Sequence, residues 1–322
     1  MDKRTVKDCN KSIEEILAAV PGLPAEGVIG VIAPAGQRAL DLEKLNHWLR
    51  SHGYTSRLFP GIYEQNGYLA GSDEARLQDL HDAFADKTVD AIICLRGGYG
   101  SMRLLDRIDF ELIRDNPKPF IGYSDITALQ LAITRHSGFV TFHGPMIFEL
   151  VQPASPLTET SLLSMLRGQL TAGSFFPHPA AHPLITIEPG VARGRLMGGN
   201  LSLICATLGT PYEIDADDII LFIEDVNEPL YKVDRLLTQM RLAGKLDNLR
   251  GVLIGDFAGL ETNTLMALFK QELGPLKIPV LAGWRGGHCD PNLTLPIGAM
   301  VRLDSHNQTL MLEQPVINPT NC

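Results

Sequence analysis

Three short stretches hold the residue types from which acyl-transfer chemistry is built. Phe120–Gln130 (FIGYSDITALQ) sets Ser124 between an apolar run and a helical pattern. A serine on a sharp strand-to-helix turn is lifted out of a sheet, and the amides that follow it face the space where an oxyanion would form. Gly122 lets the backbone pass closely there. The order Gly-Tyr-Ser-Asp is not the G-x-S-x-G of common hydrolase elbows, and the same serine could simply cap the helix. Arg96–Ser101 (RGGYGS) is the second stretch. Its three glycines make a loop of free N–H groups, but no lysine follows and the spacing matches neither a P-loop nor a dinucleotide fingerprint. It could cradle a phosphate, supply half of an oxyanion hole through the Gly98 amide, or be a tight turn only. Both stretches follow strands, so they share the carboxyl edge of one sheet, which favours the oxyanion hole. Gly286–Asn292 (GGHCDPN) is the third. His288 in a glycine-rich loop can reach into a cleft as a general base; Cys289 beside it is a weaker candidate nucleophile.

A histidine base needs an orienting acid. Glu224 ends the apolar run of 220–225 (ILFIED), with Asp225 and Glu228 as competitors, any of which could instead cap the helix expected near Pro229. His178 and His182 stand four apart, but Pro177, Pro179 and Pro183 forbid a regular helix, so a metal pair is not expected.

The elements that must hold these residues alternate. Val28–Ala33, Thr55–Phe59, Val89–Leu95, Phe120–Tyr123 and Val140–His143 read as strands. Helical patterns cover Leu40–Arg50, Ser72 to Asp86, a segment from Ser101, and Asp125–His136. This alternation predicts an α/β domain, an open parallel sheet with helices on both faces, over 28–150. Residues 1–27 read as an added arm, with a short helix capped by Asn10 or Ser12 and ended by Pro21 and Pro24. Residues 151–190 are rich in Pro, Ser and Thr and read as an aperiodic crossing. The remainder, 191–322, reads as a smaller mixed α+β domain. Its strands lie at Ile219–Ile223, Gly251–Phe257 and Pro279–Ala282, a helix spans Pro229–Ala243, and Met300–Asp304 pairs with Thr309–Glu313.

Composition narrows the function classes. Hydrophobic residues at 45% and charged residues at 20% suit a globular chain with a core. A net charge of −9 argues against nucleic acid or an anionic membrane as the main partner. Five scattered cysteines without a CxxC suggest free thiols in a reducing compartment. With no signal-peptide pattern and no apolar run of spanning length, the expected location is the cytoplasm.

Longer motifs then carry a resemblance. GVIGVIAPAG, RGGYGSMRLL, IGYSDITALQ, TFHGPM, GRLMGGNLSLICATLGTPYEID, LFIEDVNEPLYKVDRLLTQM, GVLIGDF and GGHCDPNLTLPIG occur in this order from about residue 28 onward. Together they resemble the LD-carboxypeptidases, or muramoyltetrapeptide carboxypeptidases, a serine peptidase family that includes the microcin immunity peptidases. The resemblance implies a flavodoxin-like N-terminal domain, a smaller C-terminal domain and a site between them. It implies Ser124 as nucleophile, Glu224 rather than Glu228 as acid, His288 as base, and an oxyanion hole from the amides of Asp125 and Gly98. It further implies a murein tetrapeptide substrate (L-Ala, D-Glu, a diamino acid, D-Ala) cut before its terminal D-Ala, no metal or cofactor, and a homodimer. Arg96 and Tyr99 are the candidates for substrate contact, Arg96 because a guanidinium can clamp a carboxylate. The N-terminal arm departs from the family pattern.

Overall fold

The strand-and-helix alternation of the first half closes into a parallel sheet. The computed structural model describes residues 17–318. Its first strands are Val28–Ile32 (β1), Thr55–Leu58 (β2), Ala91–Cys94 (β3), Phe120–Gly122 (β4) and Thr141–His143 (β5). They run parallel in the spatial order β2-β1-β3-β4-β5, the flavodoxin-like winding. β3 and β4 are buried at every position, as central strands covered on both faces must be, which is why their sequences are unbroken apolar runs. Leu42–Ser51 (α1) starts at Asp41, whose carboxylate accepts the Lys44 N–H. Asp73–Ala85 (α2) starts at Ser72, whose hydroxyl accepts the Ala75 N–H. Thr127–Ser137 (α3) ends at Gly138 with φ of 80°, the left-handed turn that glycine adopts without strain. Ser101–Arg107, expected as an α-helix, is instead a 3-10 helix followed by a short α-helix at Phe110–Arg114.

The segment expected to cross without regular structure carries two elements. Pro156–Leu166 (α4) has proline in its first turn and Ser155 as its cap, a start signal hidden in a Pro/Ser/Thr-rich stretch. Ile185–Glu188 (β6) joins the second sheet. That sheet continues with Val191–Asn200 (β7), Ile219–Val226 (β8), Gly251–Ala258 (β9) and Val280–Ala282 (β10). Helices Leu201–Ala206 (α5), Leu230–Leu242 (α6) and Thr262–Leu273 (α7) connect its four parallel central strands, β7 to β10.

The chain then does something its sequence does not announce. Leu295–Ile297 (β11) leaves the second sheet and pairs antiparallel with β5 at the edge of the first, with Leu295 opposite His143. Two residues later Met300–Asp304 (β12) is back in the second sheet beside β7, and Thr309–Leu312 (β13) completes it. The link is held on β7: the Gly298 N–H donates to Leu196 O at 2.7 Å, and the Leu196 N–H to Ala299 O at 2.8 Å. The second sheet reads β13-β12-β7-β8-β9-β10-β6. One apolar cluster runs through both sheets, from Ile29 and Ile93 to Ile220 and Leu253.

Most of the expected N-terminal helix lies outside the described residues. Its last residue, Val20, is not helical: Val20–Pro21 pairs in parallel with Ile317–Asn318. Among the described residues no helix is long and apolar enough to cross a membrane.

A second seam contact ties α3 to β7. Thr127 Oγ1 accepts the Asn200 N–H at 3.0 Å, both residues being buried. Thr127→Val keeps the volume and leaves that amide without an acceptor, a loss of about 1–3 kcal/mol. A lower urea midpoint at unchanged m-value is the expected reading.

Candidate active site

Ser124 stands where β4 turns into α3, with φ of 62°. A non-glycine residue in the left-handed region is strained, and such strain is typical of a serine held up on an elbow. Gly122 is required behind it, because a Cβ there would lie 2.8 Å from Ile126 Cγ2. His288 reaches the elbow from the loop between β10 and β11: its Nε2 lies 3.1 Å from Ser124 Oγ. Its Nδ1 lies 2.7 Å from Glu224 Oε2. A carboxylate can only accept, so Nδ1 carries the hydrogen and the Nε2 lone pair faces the serine hydroxyl.

The choice among three carboxylates follows from strand geometry. Successive residues of β8 point to opposite faces. Glu224 points to the imidazole and is fully buried. Asp225 points away and is spent on α5: it accepts the Ser202 N–H and O–H, the Asn200 side-chain amide and its neighbour's Val226 N–H. Glu228 pairs with Lys232 at 3.0 Å. Gly287 passes directly over the buried acid with φ of +105°; a Cβ there would fall 2.3 Å from Glu224 Oε2.

The histidine loop is anchored on α4. Ser155 N–H donates to Asp290, Thr158 O–H to Asp290 Oδ1 at 3.1 Å, and Asn292 N–H to Thr158 Oγ1 at 2.9 Å. Asn292 in turn accepts the Gly287 N–H at 3.0 Å. The helix missing from the sequence pattern is therefore the one that steadies His288.

Models of the LD-carboxypeptidase N-terminal domain and C-terminal domain match residues 29–144 and 193–303. The chain belongs to the LD-carboxypeptidase family. It is 40% identical over 299 residues to the probable murein peptide carboxypeptidase of Bacillus subtilis, covering 89% of this chain and 92% of that one. To the murein tetrapeptide carboxypeptidase of Pseudomonas aeruginosa it is 33% identical over 296 residues, covering 88% and 95%. The crystal structure of an MccF-like protein from Bacillus anthracis superposes with a TM-score of 0.83 at 27% identity, covering 92% of this chain and 99% of that one. Membership of this peptidase family makes the protein a hydrolase.

In this member of the family the glycine loop lies against the elbow, but the residue that touches it is Gly97. A Cβ on Gly97 would lie 2.9 Å from Ser124 Cβ, 3.1 Å from Ser124 Oγ and 3.3 Å from the Asp125 nitrogen. Gly98, the expected residue, follows with φ of +111°. Among the described residues neither the Gly98 nor the Asp125 amide donates to a backbone acceptor outside regular elements. Asp125 works inward: its side-chain Oδ2 accepts the Ser101 N–H at 2.8 Å and its backbone carbonyl accepts the Ser101 hydroxyl at 2.5 Å, locking loop to elbow. Arg96 donates from Nη1 to Gln37 O at 3.3 Å, bracing the loop. Tyr99 is 53% exposed, edge-on to Tyr68. Cys289 does not fit the nucleophile role: its Sγ donates to Pro291 O, and burial pushes its thiol well up, toward the unreactive neutral form. His178 has a structural contact: its Nε2 accepts the Arg285 N–H at 3.3 Å. Among the described residues no group of three or more His, Cys, Asp or Glu could hold an ion.

Spacing singles out neither Tyr123 nor Glu149, yet both flank the histidine. The Tyr123 ring meets the His288 ring edge-on at 4.8 Å, and its hydroxyl donates to Glu149 Oε1. Burial pushes the Glu149 carboxyl up to about 6. His143, fully buried behind Tyr123, is pushed by burial down to about 3 and stays neutral. Burial pulls His288 down too, but the hydrogen bond and charge of Glu224, with Glu149 and Asp225 adding to them, hold its imidazolium above the usual range.

The space beside Ser124 depends on Gly97 having no side chain. Gly97→Ala should slow covalent labelling of Ser124 by a fluorophosphonate by roughly 10²-fold, the size of a lost oxyanion contact. Its thermal midpoint should stay within a few degrees of wild type.

Proposed function

We propose that the protein is a serine LD-carboxypeptidase that removes the terminal D-alanine from murein tetrapeptides in cell-wall peptide recycling. The observation that carries this is the continuous hydrogen-bonded line from Glu224 through His288 to Ser124. Family membership supports the peptidase class, and the names of the relatives from Bacillus subtilis and Pseudomonas aeruginosa support a murein peptide substrate.

His288 Nε2 takes the Ser124 proton as Oγ attacks the carbonyl preceding D-alanine, and the buried Glu224 carboxylate stabilises the imidazolium that forms. The Asp125 and Gly98 amides receive the oxyanion. His288 returns the proton to the leaving amine, D-alanine departs, and water hydrolyses the acyl-enzyme by the same route. Arg96 and Tyr99, on the glycine loop, are assigned to the substrate's terminal carboxylate and its surroundings. The enzyme would act in the cytoplasm as a homodimer, without metal or cofactor, as the family resemblance implies.

The MccF-like neighbour supports a second reading, hydrolysis of a peptide-nucleotide antibiotic. That substrate calls for an exposed aromatic wall. Trp284, the candidate weighed from the sequence, is 1% exposed and packed against Phe176 and His178, which leaves the exposed Tyr68–Tyr99 pair as the aromatic surface such a substrate would use; the names of the relatives rank this reading second.

Incubation with murein tetrapeptide should yield tripeptide and D-alanine by mass spectrometry, unaffected by EDTA. Ser124→Ala should lower kcat by about 10⁴-fold or more; intact function in that variant would favour a non-enzymatic anion-binding protein. Glu224→Gln should be strongly impaired and Glu228→Gln near wild type. Cleavage of aminoacyl-nucleotide conjugates alone would transfer the assignment to the second reading.

The pH profile has a fixed sign. The base must be neutral, so kcat/KM should rise with pH through the raised His288 value. Glu224→Gln removes the interaction that raises it, so the rising limb should move toward acid while the maximum falls. A limb moving toward alkali contradicts this.

A further inference from the structure

Arg76 carries a charge for which the mechanism above has no use. It sits on α2 with 0% exposure. Its Nη1 donates to Pro34 O at 2.6 Å and to Gly100 O at 2.9 Å, and its Nη2 pairs with Asp73. Burying a guanidinium is costly, and an apolar side chain would fill the same space more cheaply. Asp73 does not require it, since Arg103 already grips both Asp73 oxygens at 2.7–2.9 Å.

The two carbonyls explain its placement. Pro34 opens the turn after β1, whose Gly36 N–H donates to Gly97 O at 3.0 Å. Gly100 closes the glycine loop with φ of +121°, and a Cβ there would lie 2.9 Å from Arg76 Nη1. One guanidinium therefore clamps both supports of the segment whose middle is Gly97-Gly98. Asp125 fixes the far side through Ser101. Gly98 itself is exposed and is flanked by Gly36 and the Arg96 guanidinium, so the placement of its peptide plane depends on the two ends of the segment.

We infer that Arg76 is a positioning residue for the oxyanion hole: it holds the Pro34 and Gly100 carbonyls so that the Gly98 amide is preset toward the reacting carbonyl oxygen. This rests on the assignment of Ser124 as nucleophile with the Gly98 and Asp125 amides beside it. A preset donor acts on the transition state more than on bound substrate, so its loss falls on kcat rather than KM.

Wild type, Arg76→Met, Arg76→Lys and Ser124→Ala are compared in tetrapeptide turnover and in labelling by a fluorophosphonate. In labelling, Ser124 Oγ bonds to phosphorus, fluoride leaves, the serine proton passes to His288, and the phosphoryl oxygen occupies the oxyanion site. Arg76→Met should lower kcat and the labelling rate by roughly 10²-fold each, the scale of one oxyanion donor, with KM within about threefold. Arg76→Lys, which keeps a donor charge, should recover part of both and decides the matter if the Met variant does not fold. Unchanged kcat and labelling in the folded Lys and Met variants, or a rise in KM alone, overturns the inference. So does a drop in thermal midpoint with full activity per folded molecule. Wild type that neither cuts tetrapeptide nor is labelled overturns the serine assignment instead.

Discussion

Ser124 and Glu224 belong to different sheets, and only the imidazole of His288 joins them. A side chain can bridge them only if its loop is fixed to both bodies to within the tolerance of a hydrogen bond. The chain achieves this by spending β11 on the first sheet before returning to the second. Much of the local detail follows from that routing. Gly287 must be side-chain-free to pass over the acid, Asn292 must hold the Gly287 amide, and α4 must underpin both.

The site also shows how burial is turned to use. A carboxylate with no exposure is expensive unless something stabilises its charge. Here the stabilising group is the imidazole, so the cost of burying Glu224 is coupled to the protonation of His288. Tyr123 lies edge-on against the ring and is itself held by Glu149. Asp125, the residue after Ser124, shows a parallel economy: its carboxylate has a second task, tying down the 3-10 turn at Ser101.

The sequence was most informative where a single local rule decides structure. The apolar runs at Ile92-Ile93 and Phe120-Ile121 are buried strands, Ser72 caps a helix, and the serine between β4 and α3 stands on an elbow. It was silent where placement depends on distant partners. Leu295–Ile297 is too short to announce a strand, and which sheet it joins is set by tertiary packing. Gly97 and Gly98 are equivalent in sequence, and it is the approach of Ser124 that singles out Gly97. Glu149 has no motif spacing to His288, since they meet through Tyr123. α4 was obscured because Pro, Ser and Thr, which usually mark loops, here build a helix start.

The return from β11 to β12 has a mechanical consequence. With Gly298 and Ala299 as the whole connection, and both fastened to Leu196, there is too little slack for the halves to swing apart without tearing a strand from one of them. Two-body enzymes often admit their substrates by clamshell motion. This one is stapled at its joint, so the spacing that His288 spans between Ser124 and Glu224 is held by the frame itself.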